Sequence, residues 1–277
     1  MRVVITGAGG QLGHDLVDAF ADHEVFACDH AAMDVTDRDA VLGTILTVQP
    51  DAIIHAGAWT AVDACESDPD KAFRVNALGT RHVADAARRA GAHLVYVSTD
   101  YVFDGSKPEP YLEWDRTNPQ SVYGRSKLGG ELELGPESTI VRVAWVCGAH
   151  GNNFVKTMLR LAGERDSWGV VYDQRGCPTF TPDLAVGIRR LAVDRMPGVF
   201  HVTNQGATTW FDLARDVLRL AGFDPAKVHP ISTVDYNAPA PRPANSVLEN
   251  AALRGVGLPL LADYHEPLER LVKELLA

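Results

Sequence analysis

The chain of 277 residues is 46% hydrophobic and carries a formal net charge of −10. That length suits one large α/β domain, alone or with a smaller lobe, and the acidic balance argues against general nucleic-acid binding, which needs a basic face, while leaving room for a small anionic ligand held by local arginines. The scattered Cys28, Cys65, Cys147 and Cys177 form no C-x-x-C pair or zinc-spaced cluster, and no signal peptide or membrane-length apolar run is visible, so a cytoplasmic protein with free thiols and no membrane contact is expected.

Residues 2–6, "RVVIT", read as a short buried strand, followed by "GAGGQLG" and an amphipathic helix to about His23. "EVFACD" (24–29) is a second strand, and "TDRDAVLGTILTVQ" (36–49) reads as a helix that Thr36 can cap. "DAIIHAG" (51–57) is a third strand. Asp68 can N-cap a helix with Pro69 at its first position, running to Ala90, where Gly91 is placed to end it. "HLVYVS" (93–98) and "STIVRVAW" (138–145) are further strands. Strands that alternate with long helices, and are themselves nearly continuous apolar runs, predict a Rossmann-type doubly wound parallel sheet covered on both faces. After about residue 146 Pro and Gly become more frequent, and helices such as "NFVKTMLRLAGER", "TPDLAVGIRRLAVDR" and "TWFDLARDVLRLAG" lie in a region read as a smaller C-terminal substrate-binding lobe. The expected division is 1–145 for the dinucleotide-binding domain and 146–277 for the lobe, with "GVFHVTN" (198–204) returning to the sheet.

Gly7, Gly10 and Gly13 lie three apart, between the first strand and its helix. Glycines let a backbone approach a pyrophosphate closely, and the helix N-terminus supplies free N–H groups and partial positive charge, so a dinucleotide site is expected here. Asp29, at the end of the second strand, suits a ribose 2′-hydroxyl and repels a 2′-phosphate, and His30 follows where an arginine would welcome that phosphate; this pair tilts toward NADH over NADPH.

"YGRSK" places Tyr123 and Lys127 at i, i+4, on one face of a helix. A phenol with a pKa of about 10 becomes a better proton donor beside an ammonium, which favours its ionised form. The strand "HLVYVS" runs into "STDYVFDG" (98–105) at the edge where parallel sheets bind ligands, so Thr99 is expected to reach a substrate carbonyl alongside Tyr123. Ser98 reads as a strand-end hydroxyl satisfied by backbone.

These segments resemble the extended short-chain dehydrogenase/reductase superfamily and, within it, the dTDP-4-dehydrorhamnose reductase family. The resemblance is carried by "TGAGGQLG", "HAGAWTAVDACESDPDKAFRVNALGT", "STDYVFDG", "VYGRSKLGGE", "GNNFVKTMLRLA", "DQRGCPT", "TTWFDLA" and "PRPANSVL". It implies an NAD(P)H-dependent reduction of the 4-keto group of dTDP-6-deoxy-L-lyxo-4-hexulose. Tyr123 would be the proton donor, Lys127 would hold the nicotinamide ribose, and Thr99 would orient the carbonyl. Gln11, Leu12, Asp34, Ala56, Gly57 and Ala58 would complete the cofactor set. Thr60, Val62, Asp63, Asp100, Tyr101 and Trp145 would line the substrate pocket, with Asn153, Arg175 and Arg242 at its nucleotide diphosphate end. Some members dimerise through Mg²⁺ held by glutamates; here Asp15, Pro182 (beside Asp183) and Glu274 stand at those positions, one ligand shortened and one replaced, which argues against a metal. The expected partner is a dTDP-sugar, for a monomer or homodimer that binds no nucleic acid. A ketoreductase for another nucleotide deoxysugar, an epimerase or dehydratase of the superfamily, and a non-catalytic NADP-binding subunit resembling the methionine adenosyltransferase β-subunit are the alternatives.

Overall fold

A computed structural model describes all of residues 1–277. The first half alternates strand and helix: β1 (Arg2–Thr6), α1 (Gln11–Ala19), β2 (Glu24–Cys28), α2 (Arg38–Val48), β3 (Ala52–His55), α3 (Val62–Ser67), α4 (Pro69–Phe73), α5 (Gly79–Ala90), β4 (His93–Thr99), α6 (Val122–Glu131) and β5 (Thr139–Val143). The remainder comprises β6 (Val146–Cys147), α7 (Phe154–Glu164), β7 (Trp168–Val171), β8 (Arg175–Gly176), β9 (Thr179–Phe180), α8 (Thr181–Val193), β10 (Gly198–His201), β11 (Thr208–Thr209), α9 (Trp210–Leu220), β12 (Val228–Ile231), α10 (Thr233–Tyr236), α11 (Ala251–Gly255) and α12 (His265–Leu276). Six strands form one sheet in the order β10-β5-β4-β3-β1-β2, with every pairing parallel. The chain reverses its direction of travel between β1 and β3, and ligands bind such sheets outside the carboxyl ends of the strands at that switch point.

One core lies between the sheet and α1 with α8, through Leu16, Leu184, Ile188 and Leu191. The opposite face packs Val41 and Ile45 of α2 and Val83 and Ala87 of α5. Fully burying each of the leucine, isoleucine and valine side chains contributes roughly 1.5–3 kcal/mol. A third core gathers Val155, Met158, Phe180, Leu213, Val217 and Leu268 from the second half of the chain. Helix α8, read from the sequence as part of the C-terminal lobe, instead lies against α1, and the strand after it pairs with β5. Its apolar face packs on β3, β4 and β5.

Two local expectations change. Asp37, not Thr36, caps α2: its carboxylate accepts from the backbone N–H groups of Asp39 and Ala40, while Thr36 donates to Asp34. The helix expected from Asp68 to Ala90 begins with Asp68 as cap and ends at Gly91 in the left-handed region, but a π-helical turn over Arg74–Leu78 interrupts it.

Candidate active site

The phosphate turn is set by two close approaches. Gly7 has φ +69°, and a Cβ there would meet Gly57 Cα at 2.7 Å; a Cβ on Gly13 would meet Gly7 O at 2.2 Å. The loops after β1 and β3 therefore touch, and α1 begins with its N–H groups free at the switch point. Leu12 is buried beneath the turn, whereas Gly10 is exposed and Gln11, Ala56, Gly57 and Ala58 are half-buried along the cleft. Exposed Asp29 accepts from Ala32 N at 2.8 Å, His30 lies 3.9 Å from Asp34, and Asp34 accepts both the N–H and the hydroxyl of Thr36 at 2.9 Å. A cavity of about 400 Å³ opens against Gly9 and Asp29. The imidazoles of His14 and His150, which the sequence reading did not single out, stack beside it at 4.2 Å. The glycine cradle fits a dinucleotide.

Helix α6 brings Tyr123 and Lys127 to the carboxyl edge of β4, and Ser121 caps it by accepting from Gly124 N at 3.0 Å. Gly124 allows this approach, since a Cβ there would lie 2.2 Å from Tyr101 O. Thr99, Tyr123 and Lys127 are all buried, at 5%, 8% and 2% exposure. The Thr99 hydroxyl faces the Tyr123 phenol and favours its ionised form, but burial first, and the Asp100 carboxylate second, push the Tyr123 pKa above its ordinary value. The expected lowering by Lys127 is not among the causes: Lys127 Nζ donates to Val97 O at 2.7 Å and lies 4.1 Å over the Tyr96 ring. Burial presses the Lys127 pKa down to about 7, opposed by Glu131. As the protein stands, the phenol holds its proton tightly.

Asp100 is buried beside this pair. Its Oδ1 accepts from Thr99 Oγ1 at 2.8 Å, and its Oδ2 is buried without a protein donor. Burial raises the Asp100 pKa to about 7. The Tyr101 ring meets Tyr123 edge-on at 5.5 Å. Arg242 donates to Asp63 Oδ2 at 2.8 Å and Asp63 Oδ1 accepts from Ala240 N at 3.1 Å, so these two candidates meet across the cleft between α3 and the C-terminal loop. Thr60 is exposed and Val62 half-buried on the same side.

Trp145 has φ +48° and stacks on Trp210 at 3.5 Å. Gly176 makes room for it, since a Cβ there would lie 2.3 Å from the indole. Asn153 is spent structurally: it caps α7 by accepting from Lys156 N, and its amide donates to Gln11 Oε1 and Gly148 O, each at 2.7 Å. Arg175 is exposed, and its backbone bonds to Ala244 and Ser246. Neither side chain joins the cluster around Thr99.

Ser98 departs from expectation: it donates to Glu131 Oε1 at 2.5 Å rather than to backbone. Glu131 also takes a two-point contact from Arg142, at 2.9 and 2.7 Å, making a buried ion pair that ties α6 to β4 and β5. Asn76 in the π-helical turn went unnoticed in the sequence. It accepts from Trp59 N at 2.8 Å and donates to Trp59 O and to Ser126 Oγ on α6. A chain Thr6–His55–Thr80–Asn76 then links the phosphate turn to α6. Burial holds His55 neutral, its pKa near about 3. Of the magnesium positions, Asp183 beside Pro182 is engaged by Arg270 and Asn204.

The RmlD substrate binding domain model matches residues 1–277. The chain belongs to the dTDP-4-dehydrorhamnose reductase family. It is 43% identical to a dTDP-4-dehydrorhamnose reductase of Streptomyces griseus, over 93% of this chain and 88% of that protein. Likewise it is 43% identical to a probable dTDP-4,6-dihydroxy-2-methyloxan-3-one 4-ketoreductase of Streptomyces antibioticus, over 100% of this chain and 96% of that protein. A dTDP-4-dehydrorhamnose reductase of Bacillus anthracis, solved in complex with NADP, superposes with a TM-score of 0.96 at 40% identity, covering 99% of each chain. The fold and the carriers of the sequence resemblance are thus those of the dTDP-4-dehydrorhamnose reductase family.

Proposed function

We propose that the protein is an NAD(P)H-dependent oxidoreductase that reduces the 4-keto group of dTDP-6-deoxy-L-lyxo-4-hexulose to give dTDP-L-rhamnose. The observation that carries this reading is the buried convergence of Thr99, Tyr123 and Lys127 at the carboxyl edge of β4, beside the glycine cradle. The B. anthracis relative's complex supports NADPH as the reductant. Gly7, Gly10, Gln11 and Ala56 to Ala58 would hold its pyrophosphate and nicotinamide end, with Asp29, His30 and Asp34 toward the adenosine. When bound, the nicotinamide supplies the hydride.

The chain's own residues do the rest. Thr99 orients the ketone oxygen and Tyr123 donates the proton that completes the alcohol; two donors on one oxygen stabilise the charge that builds there. Lys127, one helical turn away, holds the nicotinamide ribose. Trp145, seated on Trp210, offers its free face to the sugar, Asp100 and Tyr101 wall the pocket, and Thr60, Val62, Asp63 and Arg242 close it from the opposite side. Arg175 and the α7 N-terminus capped by Asn153 remain candidates for the nucleotide diphosphate.

An assay with NADPH and the 4-keto sugar nucleotide tests this directly: reduced cofactor should be consumed in proportion to the alcohol formed. An epimerase or dehydratase would retain its hydride and consume none, and a binding subunit would turn over no keto-sugar. A ketoreductase for another deoxysugar would prefer a different 4-keto substrate in the same assay.

A further inference from the structure

The Thr99 hydroxyl has one proton and two acceptor lone pairs. One lone pair takes the Tyr101 N–H at 3.3 Å. The hydroxyl's other near neighbours are Asp100 Oδ1, to which it donates at 2.8 Å, and the Tyr123 phenol. When Asp100 is ionised it is an acceptor only, so the Thr99 proton must point at the carboxylate. A ketone oxygen is also an acceptor, and cannot share that proton without losing one bond or the other. When Asp100 carries a proton on Oδ1, the direction reverses: Asp100 donates to Thr99, which still accepts from Tyr101 N–H, and the Thr99 proton is released toward the substrate. Thr99 then accepts from Tyr101 N–H and Asp100 and donates to the ketone, and the Tyr123 phenol is left to donate to the same ketone oxygen.

We propose that Asp100 is a positioning residue that must be protonated during turnover, because only its acid form turns the Thr99 hydroxyl toward the substrate ketone. The inference rests on the reductase reading and concerns the same site. Burial favours the neutral acid here, while the hydroxyls of Thr99 and Ser246 and the backbone N–H groups of Asp100 and Tyr101 favour the carboxylate, and burial prevails. Asp100 is 3% exposed, and its Oδ2 is buried without a protein donor. The groups that face it are the phenols of Tyr101 and Tyr123, the thiol of Cys177 and the hydroxyl of Ser246. Ser246 gives its proton to Arg175 O at 3.2 Å. Of the neighbouring cations, Arg242 is paired with Asp63, Lys127 gives one of its N–H groups to Val97 O, and Arg175 lies close enough to Cys177 to favour its thiolate. Burial accordingly raises the Asp100 pKa to about 7, so the acid form prevails below neutrality. An ionised Asp100 would also make Tyr123 a weaker acid.

Two measurements on the full-length protein test this. Difference infrared spectroscopy should reveal a protonated buried carboxyl that ionises as pH rises through about 7 and is absent from Asp100→Asn. An Asp100 already ionised at about pH 6 overturns the proposal. The second measurement is the single-turnover reduction rate with NADPH and the keto-sugar nucleotide. Asparagine mimics the acid form, because its amide N–H₂ can donate to Thr99. The ratio of the Asp100→Asn rate to the wild-type rate should therefore rise about tenfold per pH unit above about 7, since a single essential acid is being lost from the wild type. Lys127 titrates in the same range but is common to both proteins and cancels in the ratio. In a Thr99→Val background the rise should vanish; a rise that survives there means Asp100 acts directly on Tyr123, and the proposal fails. A flat ratio, or a change in KM alone, assigns Asp100 to substrate contact and also overturns it. A wild type with no turnover contradicts the reductase reading, and the infrared measurement still decides whether Asp100 holds its proton.

Discussion

At the scale of single residues, two acids in "STDYVFDG" have opposite electrostatics. Asp104 accepts from Ser106 N, Ser106 Oγ, Tyr111 OH and Asn118 Nδ2, which hold its pKa well below the usual carboxylate range. Its folded pKa is depressed, so its contribution to stability is present above the unfolded value of about 3.9 and is lost as pH falls through the folded value. Asp100 is raised, so its contribution is present below about 3.9 and is lost as pH rises through about 7. Urea titrations across pH should show Asp104→Asn flattening the acid limb and Asp100→Asn flattening the decline toward neutrality. The roles proposed for Thr99, Tyr123 and Lys127 were legible because i, i+4 spacing and a strand end are local features. The Ser98–Glu131–Arg142 cluster was not, since its members are joined only by the packing of α6 on β4 and β5. Glu131→Ala would leave Arg142 buried without its partner, and unfolding should become easier by about 3–5 kcal/mol.

At the scale of elements, the caps at Asp68 and Gly91 could be read from sequence, but the π-helical turn between them could not. One extra residue in a turn leaves the apolar pattern almost unchanged. The turn carries Asn76, which bonds both backbone groups of Trp59 and reaches Ser126 on α6. Removing it leaves buried groups unpaired, so Asn76→Ala should cost roughly 1–3 kcal/mol in denaturant unfolding. It should also slow turnover, because α6 carries Tyr123. The cap of α2 was misplaced by one residue because Thr36 and Asp37 are both competent caps, and Asp34 captures the threonine hydroxyl. Gly105 ties the catalytic segment to the C-terminal loop: at φ +75°, a Cβ there would meet Pro243 at 2.5 Å. This contact brings the ends of "VFDG" and "RPANS" together.

At the scale of the whole molecule, the alternation of elements made the sheet legible, whereas the place of α8 was not. Strand β10 returns to the main sheet as expected, but helix α8 before it also returns to the first layer, and amphipathic periodicity does not reveal which surface a helix will cover. Helix α3 and the C-terminal loop meet at Asp63 and Arg242, a partly exposed pair worth at most about 1 kcal/mol. Asp63→Asn should therefore hardly move the unfolding midpoint, yet raise KM for the sugar nucleotide by loosening the loop over the pocket. No helix is long and apolar enough to cross a membrane. The central claim is a net reduction with Tyr123 as proton donor, and its most direct test is the consumption of NADPH by wild type and Tyr123→Phe given the 4-keto sugar nucleotide. The account predicts one NADPH consumed per dTDP-sugar alcohol formed by wild type, and a loss of about 10²–10⁴-fold in kcat for a Tyr123→Phe protein that still binds NADPH. A near-wild-type rate for Tyr123→Phe, or conversion of the sugar without net NADPH consumption, would contradict it.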